Sequence, residues 1–429
     1  MTMKRVGYWI SEKKSKKLNF EEQRLLFRNA GIELVKIDLG QPLEAQGPFD
    51  AIVHKVTDIL AKADNGNKTA QKLIHNIQNY TDRHPECILL DPLESTRQLL
   101  DRYKQYQQVC TCDLVQRDSR VIIPTFVELT SSDVEENKQK LAKAGVTFPI
   151  VAKPILSHGT KSAHEMAIIF SEESLRDVKP PCVAQSFLNH NALLYKIFVV
   201  GNRQFVVQRP SLKNLYPGNY PTIFFDTQEV SKPDSSHPLN EVDMKSIDEP
   251  LIKPDWQLLE QLGAAIGNVM ELRLLGIDVI IDCKTMQYAI IDINSFPGFE
   301  GVDDFFSVLL DYILEVLGTK ENCDRRADRT PTSYSNDPSS TKPVSVIDSG
   351  STGDHHCTIV KTATVNAVNL KASQKFFVDQ SCRIDCTPHS LSDPAYSHRG
   401  ASVVNEDVSE RSQMHSQLQH KNNLPSSLP

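Results

Sequence analysis

Residues 276–294, GIDVIIDCKTMQYAIIDIN, read nearly the same from either end about Thr285. Apolar and β-branched residues on both arms with a short polar centre predict an antiparallel hairpin, its loop at 283–287. This symmetry pairs residues whose numbers add to 570, so Asp278 faces Asp292. Directly opposed side chains sit about 4.5–5.5 Å apart at Cβ, and alternate residues of a strand share a face. Asn294 therefore stands beside Asp292, and Pro297-Gly298 ends the pairing just beyond. Two carboxylates that close among apolar neighbours repel unless a cation lies between them. Three hard oxygen donors without Cys or His select Mg²⁺ or Mn²⁺ over zinc, and Mg²⁺ completes such a shell with water and substrate phosphates. The competing reading has the aspartates capping strand ends in solvent. Their shared face and strand-internal position favour the metal.

A cation held by so few protein groups calls for phosphates, yet neither the P-loop pattern nor a G-x-G-x-x-G after a strand is present. Two lysines inside apolar runs are the candidates: Lys153 in FPIVAKP and Lys196 in LLYKIFVV. A lysine among strand residues needs an anion unless it faces outward at a sheet edge. Between them SHGTKSAHE (157–165) is small and polar, suited either to fold over phosphates with its backbone N–H groups or to serve as a plain connection.

The rest of the chain frames this hairpin. Strands are expected at 5–10, 32–39, 51–55 and 87–91, with helices from a capping box at Asn19 and Glu22 to Ala30, at 68–83 and at 94–108. That alternation describes a small doubly wound α/β domain over 1–110. A second unit over 113–320 is rich in strands: VIIPTFVEL (121–129), 148–153, 166–170, 182–188 and 193–210, then the hairpin. Its expected helices run from a capping box at Ser132 and Glu135 to Gly145, over 255–272 and over 303–317. Beyond 321, Ser, Thr, Asn, Asp, Pro and His crowd together and periodicity fades, which predicts a disordered tail to 429. Its pieces VNAVNL and KFFVD leave a docking segment as the alternative.

Composition narrows the partners. With 40% hydrophobic residues and a net charge of −7, the chain offers no general attraction for nucleic acid or an anionic membrane. No apolar run reaches the roughly 18 residues of a membrane span. The opening MTMKRVGYWISEKK lacks the apolar core of a signal peptide, and nine scattered cysteines fit a reducing compartment, so a cytosolic monomer is expected. The string DHHC at 354–357 stands without the cysteine array or membrane spans of acyltransferases that carry it. Basic groups are nevertheless dispersed near predicted strand ends: SEKKSKK (11–17) after the first strand, His54 and Lys55 after the third, His164, and Arg209 with Lys213. KKSKK taken alone is a solvated face; together these groups can line a site for a polyphosphorylated ligand.

The paired strand lysines and the terminal acidic-x-Asn strand resemble the ATP-grasp fold over 113–320, with the leading α/β unit as its usual N-terminal domain. More closely, RVGYWISEKK, HKVTD, HGTKSAHEMAI, NHNALLYKIFVVG, VQRPSLKN, GIDVII and IDINSFPGFEGV resemble the inositol-tetrakisphosphate 1-kinase (inositol-trisphosphate 5/6-kinase) family over 4–320. The resemblance implies phosphorylation of inositol 1,3,4-trisphosphate at position 5 or 6 and of inositol 3,4,5,6-tetrakisphosphate at position 1, reversible with ADP. It implies ATP as cosubstrate and two Mg²⁺ ions held by Asp278, Asp292 and Asn294. Lys14, His164, Lys196, Asn294 and Gly298 would meet the inositol phosphate, with His158 the other histidine of the same loop. Arg102, Lys153, Gln185, Lys196, Ser211, Thr227 and Ser231 would contact ATP; Lys153, Lys196 and His164 would carry the chemistry. Two rivals remain: an ATP-dependent carboxylate–amine ligase of the same fold, and a nucleotide-binding regulatory protein without catalysis.

Overall fold

The computed structural model describes residues 3–241 and 253–327. The first four strands, β1 (Lys4–Trp9), β2 (Ile32–Lys36), β3 (Ala51–His54) and β4 (Ile88–Leu90), form a parallel sheet in the order β2-β1-β3-β4. Helix Lys68–Arg83 packs on it because Ala70, Ile74, Ile77 and Tyr80 recur at helical spacing, and Asn67 caps it by accepting from the Ala70 N–H.

The remaining strands divide between two five-stranded sheets. One runs β12 (Ile223–Asp226), β8 (Glu165–Ile169), β7 (Ile150–Pro154), β9 (Cys182–Ser186) and β6 (Phe126–Leu129). The other runs β11 (Arg203–Pro210), β10 (Leu193–Val200), β13 (Leu274–Ile281), β14 (Tyr288–Ser295) and β5 (Val121–Ile122). Helix Trp256–Val269, capped by Asp255, buries Leu258, Leu259, Leu262 and Ile266 against this second sheet. Each such side chain is worth about 1.5–3 kcal/mol. The parallel domain is tied to the second sheet where buried Asp91, just past β4, accepts from the backbone N–H groups of Arg273 (2.8 Å) and Leu274 (3.0 Å) at the start of β13.

Several expected elements are redrawn. The run 121–129 is two strands in different sheets, because Pro124 can donate no ladder hydrogen bond. The helix after Asn19 begins only at Arg24 and ends at Asn29, with no side-chain cap. Asp133, not Ser132, caps helix Val134–Ala144, and Gly145 closes it in the left-handed conformation. The helix expected over 94–108 is broken into Leu93–Gln98 and Arg102–Val109, the second started afresh by Asp101. The last helix, Phe305–Ala327, overruns its expected end and the 321 boundary of the tail. The rest of that tail, including DHHC, VNAVNL and KFFVD, lies outside the described residues.

Candidate active site

A cavity of about 500 Å³ opens between the two five-stranded sheets, with one wall from residues that follow β1 and β3. Its floor is a cross-strand row. Lys196 on β10 pairs with Asp278 on β13, which pairs with Asp292 on β14. Lys196 Nζ donates to Asp278 Oδ1 at 2.7 Å, and both side chains are largely buried. Burial pushes the Asp278 carboxyl above its usual range; Lys196 pulls it down and Asp292 pushes it further up. Asn294 Nδ2 donates to Asp292 Oδ2 at 3.1 Å. Asp292 Oδ1 is buried without a hydrogen-bond partner, the nearest cation being the Arg102 guanidinium with Nε at 3.6 Å.

That orphaned oxygen tests the expected metal. A buried carboxylate oxygen with no donor is costly unless an ion completes it, and the neighbouring donors are hard oxygens. Among the described residues no cluster of three or more His, Cys, Asp or Glu side chains forms. Two carboxylates and one amide leave coordination positions for water and phosphate, as Mg²⁺ prefers. The residues fit.

The hairpin departs from perfect symmetry at this point. Asp278 faces Asp292, but Val279 faces Ile290, which leaves Ile291 as the extra residue of a bulge. The carbonyl of Ile291 accepts from Lys153 Nζ at 2.7 Å and from the Tyr106 hydroxyl at 2.6 Å. Lys153 Nζ also donates to the Tyr106 hydroxyl (2.9 Å) and to Gln185 Oε1 (2.7 Å). Burial pushes Lys153 down to about 7, against the opposing pull of Asp292. The bulge thus aims one carbonyl across the gap between the sheets, where it fixes the buried lysine of the facing sheet.

Nearly all the expected site residues meet here. Lys14, His158, His164, Ser211, Thr227, Ser231 and Gly298 line the cavity with the residues already placed. Burial lowers both His158 and His164, the first strongly, so both imidazoles are neutral at pH 7. Lys14 and Lys55 are pushed down by burial to about 8 and about 7, and the Lys55 ammonium donates to the Ser295 carbonyl. Arg102 lies behind the wall rather than in it: 2% exposed, its Nη1 donates to the Pro154 carbonyl at 2.5 Å. His54, expected in the basic lining, is instead buried and held neutral, its pKa near 4, with Nε2 on the Asp91 carbonyl. Lys213 also falls outside the cavity wall, whereas Lys13, Lys17 and Arg209 belong to it.

Four contacts of the site are not apparent in the sequence. Tyr106 braces Lys153, His190 Nε2 meets Ser211 Oγ at 2.8 Å, and Asp58 accepts from the Gly159 N–H at 3.2 Å, docking the 157–164 loop on the first domain. The fourth, Glu300, puts a carboxylate into the wall. Tyr106 alone had a signal: it follows Arg102 by four residues on one helical face.

Comparison with known proteins places this geometry. The model of the inositol 1,3,4-trisphosphate 5/6-kinase ATP-grasp domain matches residues 115–315, and that of the corresponding pre-ATP-grasp domain matches 5–96. The chain is 48% identical to inositol-tetrakisphosphate 1-kinase of Danio rerio over 318 residues, which is 73% of this chain and 79% of that protein. It is 46% identical to that of Xenopus laevis, over 73% of this chain and 79% of that one. With inositol-tetrakisphosphate 1-kinase 1 of Oryza sativa subsp. indica it shares 34%, over 73% and 85%. The chain belongs to the inositol 1,3,4-trisphosphate 5/6-kinase family. The two sheets flanking the cavity are therefore the halves of an ATP-grasp domain, and the parallel sheet is its pre-ATP-grasp domain. Among the described residues of this family member no helix is long and apolar enough to cross a membrane.

Proposed function

We propose that this protein transfers the γ-phosphoryl group of ATP to a ring hydroxyl of an inositol polyphosphate, with inositol 1,3,4-trisphosphate and inositol 3,4,5,6-tetrakisphosphate as acceptors and return to ADP as the reverse. The observation that carries the proposal is the Lys196–Asp278–Asp292 row, with its orphaned carboxylate oxygen, on the floor of a cavity whose other wall is basic. Family membership supports the substrate class. We place the activity in the cytosol, on the cysteine pattern alone.

Asp278, Asp292 and the Asn294 carbonyl oxygen would hold two Mg²⁺ ions. Bound there, Mg²⁺ supplies charge neutralisation at the β- and γ-phosphates. Lys153, braced by Tyr106 and Gln185, presents an ammonium at the nucleotide side. Gln185, Ser211, Thr227 and Ser231 would line the nucleotide side of the cavity, and Arg102 supports Asp292 from behind. At the acceptor side Lys14, Lys196, His164, Asn294 and the Gly298 turn orient the ring. Lys196 trades Asp278 for phosphate as the acceptor enters, which places positive charge where the transferring group builds up negative charge. Positioning and charge supply such a transfer with most of its acceleration. Lysines on the side of β1 and β3, which a ligase with an amino-acid acceptor has no use for, favour the kinase over that rival.

The test is incubation of the protein with Mg²⁺, labelled ATP and each acceptor, beside Asp292→Ala. Labelled product from the unaltered protein only is expected. Bound ATP without transfer to either acceptor would return the ligase and regulatory readings to the front.

A further inference from the structure

Of the four carboxylates lining the cavity, Asp278 and Asp292 belong to the metal pair and Asp58 docks the 157–164 loop. Glu300 pairs with the exposed Lys17, and it stands in a wall rich in lysines. Its Oε1 lies 2.7 Å from Lys17 Nζ. The side chains of this pair are 41% and 62% exposed, and an ion pair so open to solvent contributes little stability. A carboxylate that contributes little to the fold and repels the ligand's phosphates needs another reason to be there.

The backbone shows that its position is enforced. Glu300 sits on a turn whose flanking Phe296 and Phe299 adopt φ of 41° and 54°, a region that bulky residues rarely enter. Both rings are buried, and Phe299 stacks on Phe305 at 4.2 Å, so core packing holds the strained turn in place. The Arg209 guanidinium donates to the Glu300 carbonyl. A Cβ at position 298 would stand 2.2 Å from both Glu300 carboxylate oxygens, so the carboxylate lies close over the Gly298 backbone. Burial raises the Glu300 carboxyl, but Lys17, its own backbone and Lys14 bring it below its usual value, so it is ionised.

An inositol polyphosphate presents both phosphates and free hydroxyls around one ring. A carboxylate accepts a hydrogen bond from a hydroxyl and repels a phosphate. Resting on the kinase reading, we propose that Glu300 is a specificity-determining residue of the acceptor site, reading one unphosphorylated ring hydroxyl and excluding isomers that carry a phosphate at that corner. Lys17 holds the carboxylate at the cavity wall. Selectivity then comes from a repulsive element as well as from the attractive lysines.

The test measures dissociation constants of the full chain for a panel of inositol trisphosphate isomers, all of equal charge, by calorimetry with Mg²⁺ and a non-hydrolysable ATP analogue present. Equal charge matters, because a general field at the pocket cannot rank such isomers. In Glu300→Gln the amide still accepts from a hydroxyl but no longer repels phosphate. Isomers that the unaltered protein rejects are expected to tighten by about tenfold or more, while accepted ones stay within about threefold. Uniform tightening across the panel, or an unchanged ranking, overturns the proposal while leaving the kinase reading intact. Failure of the unaltered protein to bind any isomer overturns both. If Glu300→Gln does not fold, Glu300→Asp keeps the charge but withdraws it by one methylene; the spread is expected to narrow, and an undiminished spread refutes the idea.

Discussion

Replacing Lys196 by methionine is expected to weaken the folded protein before it weakens anything else. Lys196 Nζ sits 2.7 Å from Asp278 Oδ1, with side-chain exposures of 19% and 15%. Removing one partner of a buried pair costs about 3–5 kcal/mol, because the other charge is left uncompensated. Residual exposure and the pull of Lys153 on Asp278 reduce that to about 2–4 kcal/mol here. For a domain this large, about 2–4 °C per kcal/mol predicts a fall in melting temperature of roughly 4–16 °C. Lys196→Met/Asp278→Asn, in which neither charge remains, is expected to recover to within about 1 kcal/mol of the unaltered protein.

The sign of the pH dependence follows from Asp278. Its folded-state pKa lies above the unfolded value of a free carboxyl. Its ionised form therefore costs stability above the folded pKa, and the cost lifts as pH falls toward the unfolded pKa. Lys196 holds that pKa down, so its loss moves the costly window upward. The Lys196→Met deficit is expected to be largest near pH 8 and to shrink toward pH 5. Added Mg²⁺ is expected to return part of it, since a cation between Asp278 and Asp292 binds the folded chain alone. Thermal unfolding at both pH values, with and without Mg²⁺, measures all three effects. A double variant no more stable than Lys196→Met would refute the electrostatic account.

Three further outcomes can be checked. Tyr106→Phe removes the hydroxyl that accepts from Lys153 and donates to the Ile291 carbonyl; a loss of about 1–2 kcal/mol in stability and a raised KM for ATP are expected, read by unfolding and by kinetics. Gly159 has φ of +83°, and a Cβ there would lie 2.6 Å from that of Ala61; Gly159→Ala is expected to undock the 157–164 loop, seen as faster proteolysis at that loop with the melting temperature nearly unchanged. Burial holds Lys14 near 8 and Lys55 near 7, so both lose protons as pH rises through 7–8; acceptor affinity is expected to fall from pH 6.5 to 8.5, with proton uptake on binding near pH 7.5 that calorimetry in two buffers detects.

How much of this was legible follows from where each contact is encoded. Asp278 opposite Asp292 could be read because both lie in one hairpin, and local symmetry sets register. The bulge at Ile291 could not: it breaks that symmetry, and its carbonyl meets a lysine and a tyrosine from 138 and 185 residues away in sequence. The split of 121–129 was signalled by Pro124, but nothing local says that its two halves join opposite sheets. His54 and Lys55 are adjacent and looked alike as strand-end cations. Alternation along the chain sends His54 into the domain core, while Lys55 reaches the cavity. Glu300 carries no local signal in IDINSFPGFEGV, because a carboxylate matters there only once Lys17, 283 residues earlier, is known to face it.

These distant contacts have one physical theme. Four cations on the cavity floor and rim are engaged by protein oxygens: Lys153 by three acceptors, Lys196 by Asp278, Lys55 by the Ser295 carbonyl and Lys17 by Glu300. An empty pocket of unpaired lysines would repel itself and spread the sheets that carry it. The protein oxygens remove that repulsion and hold each ammonium near its working position, at the cost that an incoming polyanion must displace them. Displacement is easiest where the protein oxygen gains a new partner in exchange. With Mg²⁺ held by Asp278 and Asp292, as proposed above, both carboxylates would gain one, and Lys196 would be released once the metal-bearing nucleotide is in place. On that reading the nucleotide would complete the acceptor site, and acceptor affinity is expected to rise when ATP and Mg²⁺ are bound together but not with either alone, a three-way comparison of dissociation constants that would contradict this coupling if the values were equal.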